Sequence, residues 1–522
     1  MTAAIEDEAQ LGGSKVLITI SAMLAGLLAF VDISIVTVAL SDIRTSLGAP
    51  INQISWVSTS YMMGSVLVMP LSGWLQKRFG YRKYFAVSIL FFTLASALCG
   101  CAWSLPSLVM CRALQGLGGG AIIPTAQAIL FIRYPEREHG KAAALFGLAA
   151  VTGPLLGPYL GGKLIDLANW HWIFFINLPV GLLAAWLAAA NLRESAASDP
   201  SRGVVDWLGI ALLSMGLPSL QYVLEEGNHD GWLDSPTIVA LLVISGISLV
   251  TFVVHELETD VPVLDLKLFG SASYSAATAL NFLLGISVFA GGFMLSLFCG
   301  TMLKYSALEI GLVFLRGNWL LVVLMPLMGR VVGRVSGRAL IGAGIVLMSA
   351  SLWMNGQLTP QADTMTLVAP LVVRCFGMAL TFIPLFAYAL SDVLAERRGN
   401  ASAMFNVTRE LGGSIGTAWM TTSLDDHSRQ YASSLGRALD PYNAAAVGEF
   451  TRMRGYLDRG GFTWDADVAA MAVAKLRVAG QALSLAFDHG FKSLALVFVL
   501  ALLLVPYLRS PEGEADREGI AR

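Results

Sequence analysis

The chain has 522 residues, of which 56% are hydrophobic and only 13% charged, against about 25% charged residues in an ordinary soluble domain. A formal net charge of -2 leaves no basic excess for a nucleic-acid partner. With a mean hydropathy of +0.67, the composition excludes a soluble enzyme and points to an all-α chain threaded through a lipid bilayer.

Crossing the hydrocarbon takes about 20 mostly apolar residues, and fourteen such stretches follow one another. The start is acidic (Glu6, Asp7, Glu8) and lacks the basic segment and short apolar core of a cleaved leader. The first stretch, 16–41, is therefore expected to be a retained helix, and it carries Asp32 within AFVDISIVTVAL. The second, 54–76, runs into the loop GWLQKRFGYRK, with Gly73, Lys77, Arg78, Gly80 and Arg82. After 84–102, the fourth stretch, 107–130, holds Arg112 in VMCRALQGLGGG. Its glycines lie inside an apolar run with no preceding strand, so they read as close helix contact rather than a nucleotide loop.

The fifth stretch, 141–164, contains TGPLLGPYLGG, where Gly153, Gly157 and Gly161 recur every four residues beside Pro158 and Gly162. That spacing puts three glycines on one helix face, and Pro158 removes a backbone donor and bends the helix. The sixth, 171–190, opens on WHWIFFINLP. The seventh and eighth, 205–224 and 236–255, are joined by Glu225, Glu226, His229, Asp230 and Asp234, with no Lys or Arg. Spans follow at 274–300, 308–332, 339–356, 366–390 and 401–424, carrying Arg316, Arg374 and the neighbours Arg409 and Glu410. The last two sit nearer a helix end, where local pairing is an equal reading. A long hydrophilic stretch, 425–488, precedes the final span, 489–507. It includes the alanine-rich DADVAAMAVAKLRVAGQALSLAF, expected to form a partly helical cap on the outer face.

Alternate loops differ in charge. One set holds Lys77, Arg78, Arg82, Lys83, Arg133, Arg137 and Lys141 and continues in kind to Arg397 and Arg398. The other, leaving out the long outer stretch, holds only Arg44, Lys163 and Lys304. Excess Lys and Arg marks the cytoplasmic side, so both termini are expected there. The loop pattern Gly73, Arg78, Arg82 recurs as Gly329, Arg334, Arg338, eight spans later. Internal repeats are common in transporters. The simplest account is two six-helix halves (1–195 and 263–522) separated by an inserted helix pair (196–262).

An ionisable side chain at mid-bilayer costs about 2.5–3.5 kcal/mol and persists where it faces a cavity or a partner. Asp32 reads in two compatible ways. Burial favours a carboxyl's neutral form, which suits proton or cation binding, or the residue is salt-bridged, with Arg112 a candidate partner. No GxxxxGK[ST] or HExxH motif is present, so neither P-loop hydrolysis nor that zinc chemistry is expected. The five cysteines lie in apolar segments without metal-ligand or CxxC spacing and read as packing residues.

Taken together, these motifs resemble the major facilitator superfamily. GWLQKRFGYRK is similar to its loop signature, RALQGLGGG to its span-four motif and GPLLGPYLGG to the span-five motif of its antiporters. FVDISIVTVAL, WHWIFFINLP, LDLKLF and NVTRELGGSIG resemble the fourteen-helix drug:proton antiporter branch, the EmrB/QacA type. One departure is Lys77, where the superfamily usually carries an acid thought to cap a neighbouring helix and steady one state. The resemblance implies a non-enzymatic, proton-gradient-driven exporter of amphipathic drugs or toxic metabolites in a bacterial inner membrane, with no cofactor. A nutrient importer of the same fold and a non-transporting membrane sensor are the alternatives. Asp32 and Arg112 become candidates for proton coupling, with Glu410 next. Gly153, Gly157, Pro158, Gly161 and Gly162 take the role of a tight helix contact. In a Gram-negative host the outer loop would meet a periplasmic adaptor leading to an outer-membrane channel.

Overall fold

The computed structural model describes residues 14–49, 53–135, 138–193, 206–259, 262–331, 335–391, 393, 397–437, 444–459 and 466–508. Arg334, Arg137 and Arg202 lie outside the described residues. The chain is a helical bundle, and no β-strand occurs among the described residues.

The first six helices are α1 (Lys15–Leu47), α2 (Trp56–Phe79), α3 (Tyr81–Gly100), α4 (Leu105–Arg133), α5 (His139–Leu167) and α6 (Trp172–Asn191). Two more, α7 (Trp207–Glu226) and α8 (Pro236–Glu258), form a pair. Then come α9 (Ala272–Thr301), α10 (Ala307–Val331), α11 (Gly337–Gly356), α12 (Thr364–Ser391), α13 (Arg398–Arg437), α14 (Ala444–Arg459) and α15 (Ala466–Leu500). Every stretch expected to span overlaps one of these helices, the last one ending in a 3-10 helix, Ala501–Tyr507. Among the described residues, eleven helical segments are long and apolar enough to cross a membrane by length and composition.

Local chemistry sets several boundaries. Ser104 caps α4 by accepting from the Ser107 amide, and the Ser107 hydroxyl bonds back to the Ser104 amide, so two otherwise orphaned donors are satisfied. Gly80, with φ of 79°, makes the turn between α2 and α3 in a region that side chains disfavour. Midway along α9 a π-helical turn, Ile286–Ala290, interrupts the α-helix. It packs against α13, where Gly416 meets Ile286 and Gly413 meets Phe289.

Inside the first half, α4 packs on α2 and α3, and α1 on α5 and α6. In the second, α11 joins α12 and α15, and α9 joins α13. Two seams connect the halves. Along one, α5 runs against α10, with Pro158 beside Gly311, Gly162 beside Leu308 and Gly147 beside Met325. Along the other, α13 meets α2 and α4. Within the pair, α7 contacts α2 and α13, whereas α8 packs mainly on α7 and leaves an apolar face, including Ile247 and Val250, exposed. Such a face matches a lipid surround.

Among its described residues, the segment 425–488 is more regular than a loop. Helix α13 continues past residue 424 to Arg437, α14 follows, and α15 begins at Ala466 and runs unbroken into the last span. Arg454 on α14 pairs with Asp467 on α15 at 3.2 Å.

Candidate functional site

Asp32 lies half-way along α1 and is fully buried. One carboxylate oxygen accepts from Arg112 Nη1 at 2.7 Å. The other accepts from Gln115 Nε2 and from Asn177 Nδ2, each at 2.8 Å. Arg112 is itself 1% exposed. Its Nη1 also donates to Gln115 Oε1 at 2.8 Å, and its Nε donates to the Val57 carbonyl at 3.0 Å. Asn177 donates further to Ser96 Oγ at 3.0 Å, and Ser96 donates to the Phe174 carbonyl at 2.9 Å. Five helices, α1, α2, α3, α4 and α6, thus converge on one carboxylate. The Tyr61 ring lies 4.3 Å from the guanidinium carbon, a cation–π contact in a dry interior.

The local sequence explains this convergence. Arg112 and Gln115 are three residues apart and so share a face of α4. Asn177 is a buried polar residue in the apolar run of α6, following Ile176, which stays in the right-handed helical region. The salt bridge with Arg112 that the sequence allowed is therefore present. The sequence reading missed Gln115, Asn177 and Ser96. The available signals were the i, i+3 spacing from Arg112 and a lone Asn within IFFINLP.

The second-half charges are arranged differently. Arg409 and Glu410 were expected near a helix end. They lie three turns into α13, because that helix starts at Arg398 and runs far beyond the expected span. Arg409 donates to Asn406 Oδ1 at 3.1 Å, and Asn406 in turn donates to Gln127 on α4. Arg374 donates to Asn318 Oδ1 at 3.3 Å. Arg374, Arg409 and Glu410 are each partly accessible yet surrounded by protein, the signature of side chains lining an internal recess. Tyr61 is within electrostatic reach of both the Asp32–Arg112 pair and Glu410. Arg316 is exposed, and among the described residues no hydrogen bond or ion pair reaches it.

The two glycine motifs take distinct places. A Cβ at Gly153 would meet the Val31 nitrogen at 2.9 Å, one at Gly157 the Ser34 Cβ at 2.8 Å, and one at Gly161 the Ile35 Cγ1 at 2.9 Å. These three therefore seat α5 on α1. Pro158 and Gly162 face α10 instead, so α5 is held between its own half and the other. In the loop motif, a Cβ at Gly73 would meet the Asn400 Cα at 2.7 Å, bringing α2 and α13 into backbone contact at the face bearing the basic loops. Lys77 is exposed and forms no ion pair among the described residues. Arg78 lies 5.7 Å from the Trp74 ring, and Arg82 donates to the Ala189 carbonyl at 2.9 Å.

Among the described residues, no group of three or more His, Cys, Asp or Glu is arranged to hold a metal ion.

The family model for the Major Facilitator Superfamily matches residues 22–417. Multidrug export protein EmrB of Escherichia coli (strain K12) is 31% identical over 509 residues, covering 97% of this chain and 98% of that protein. Multidrug export protein EmrB of Haemophilus influenzae is 29% identical, covering 96% and 97%. Among solved structures, that of the human organic anion transporter MFSD10 (TETRAN) superposes with a TM-score of 0.60 at 13% identity, covering 94% of this chain and 99% of that one.

Proposed function

The chain belongs to the Major Facilitator Superfamily, and on that footing we propose that it is a bacterial inner-membrane exporter that moves amphipathic drugs or toxic metabolites out of the cell in exchange for protons. It is a transport protein rather than an enzyme, and it needs no cofactor because the proton gradient supplies the work. One charge crossing about 100 mV yields about 2.3 kcal/mol, and a tenfold concentration gradient costs about 1.4 kcal/mol.

The observation that carries the proton step is the single carboxylate at the junction of five helices. A proton on Asp32 cancels the negative half of the Arg112 pair. Arg112 keeps Gln115 Oε1 and the Val57 carbonyl as acceptors but loses its counter-charge. Protonation therefore weakens the tie between α1 and α4, and deprotonation restores it. Because α1 also carries α5 through Gly153, Gly157 and Gly161, and α5 faces α10, a change at Asp32 reaches the seam between the halves. Substrate binds at that seam near the midplane, where Arg374, Arg409 and Glu410 border the recess.

The basic loops face the cytoplasm, as their Lys and Arg content supports, and both termini lie there. In a Gram-negative host, α14 and the outer parts of α13 and α15 dock to a periplasmic adaptor that leads to an outer-membrane channel. The extension of α13 from 424 to 437 is about 20 Å long, and exposed Tyr456, Val468, Met471 and Leu476 offer apolar contacts. Counterflow in proteoliposomes with an imposed pH gradient tests the whole reading. Exchange-driven accumulation of an amphipathic dye is expected, and its absence would remove the transport function.

A further inference from the structure

The last turn of α7, in the inserted pair, sets polar side chains against α13. Glu225 is exposed on the last turn of α7 yet has protein around it, as a residue at the border of a recess does. The charges acting on it are Glu226, its neighbour, and Glu410 from α13, both acidic. Gln221, one turn earlier, is fully buried. Its amide nitrogen donates to Glu225 Oε1 at 3.0 Å and to Ser414 Oγ on α13 at 2.9 Å. Its amide oxygen, held in the same cluster, has no hydrogen-bond partner.

A buried amide oxygen without a donor is costly, and native proteins rarely leave one unexplained. Glu225, Glu410 and Gln221 Oε1 are all acceptors. Arg409 offsets Glu410, whereas Glu226 is satisfied separately by Ser55 Oγ at 2.8 Å and Thr59 Oγ1 at 3.4 Å on α2. The remaining demand is for a donor that also carries positive charge. Tyr222 packs at a tilt of 46° on Trp56, ring centroids 5.3 Å apart, beside Glu226, which adds the aromatic surface that an organic cation favours.

We propose that the inserted helix pair supplies one wall of a substrate subsite, in which Glu225 and Gln221 on α7, facing Glu410 and Ser414 on α13, receive the amino or amidinium group of an organic cation. This rests on the export reading above. It gives the extra pair a recognition role, since α7 brings acceptors that neither six-helix half provides at this position.

Ethidium, a cation bearing amino groups, and N-phenyl-1-naphthylamine, an uncharged amphiphile, test this by fluorescence titration of the full chain in lipid nanodiscs. Glu225→Gln preserves size and should weaken ethidium binding about tenfold or more, the range for a charge-assisted hydrogen bond. It should leave the neutral dye within about twofold. Glu225→Asp keeps the charge and should recover most of the affinity, and Gln221→Met should also weaken ethidium. Unchanged ethidium affinity in Glu225→Gln, or equal loss of both dyes, would overturn the subsite. Wild-type protein that binds neither dye would contradict the export reading and, with it, this proposal.

Discussion

Asp32 and Arg112 are costly apart and inexpensive together. Removing one partner of a buried ion pair destabilises by about 3–5 kcal/mol, because the other is left charged and unpaired. With both residues essentially sealed from solvent, Arg112→Met and Asp32→Asn should each lower the thermal unfolding temperature of the purified protein. Combining them should recover part of the loss, because neither charge is then stranded. Strictly additive losses in a double-mutant cycle would mean that the pair does not form. At this scale the sequence was informative about charges, since an acid or a base in an apolar helix is conspicuous by its cost. It was silent about Gln115 and Asn177. Neutral polar residues are common in helices, and only the packing of α6 brings Asn177 to Asp32.

Among the helices, small residues decide which surfaces meet. The spacing of Gly153, Gly157 and Gly161 predicted one shared face, and the structure presses that face on α1. Spacing alone did not say that Pro158 and Gly162 serve a different neighbour, because the partner of each face depends on how the halves assemble. Gly73 offers the sharpest test. A Val side chain there would collide with the Asn400 backbone and hold α2 away from α13 at the basic face. Gln76, buried in the same contact, should then become reachable. In a Gly73→Val background, Gln76→Cys should react several-fold faster with a membrane-impermeant maleimide applied from that face. Unchanged labelling would show that the contact does not gate access. The alanine-rich stretch was legible as a helix, but its continuity with the last span was not, since polar residues from Asp467 to Asp488 break the apolar run without breaking the helix. Shortening the segment 425–488 should leave transport in vesicles largely intact while cellular resistance falls. Loss of both would remove the docking idea.

At the scale of the whole molecule, the proposed function couples two events that lie in different places: a proton at Asp32, deep in the first half, and a substrate at the seam of the halves. The division into spans was readable because lipid penalises charge along the entire chain, so apolar length alone marks the helices. The recess was not readable, because its acceptors come from α7 and α13, almost two hundred residues apart, as the bond between Gln221 and Ser414 shows. The account requires that substrate and proton fluxes be inseparable and that Asp32 be the link. The most direct measurement is drug-induced proton release in inverted membrane vesicles, comparing wild type with Asp32→Asn at matched protein level in the membrane. Substrate should release protons from acid-loaded wild-type vesicles and release none through the Asn variant, while Asp32→Glu retains a partial response. Proton release at the wild-type rate in Asp32→Asn would contradict the account and move the coupling site elsewhere, with Glu410 the first place to look.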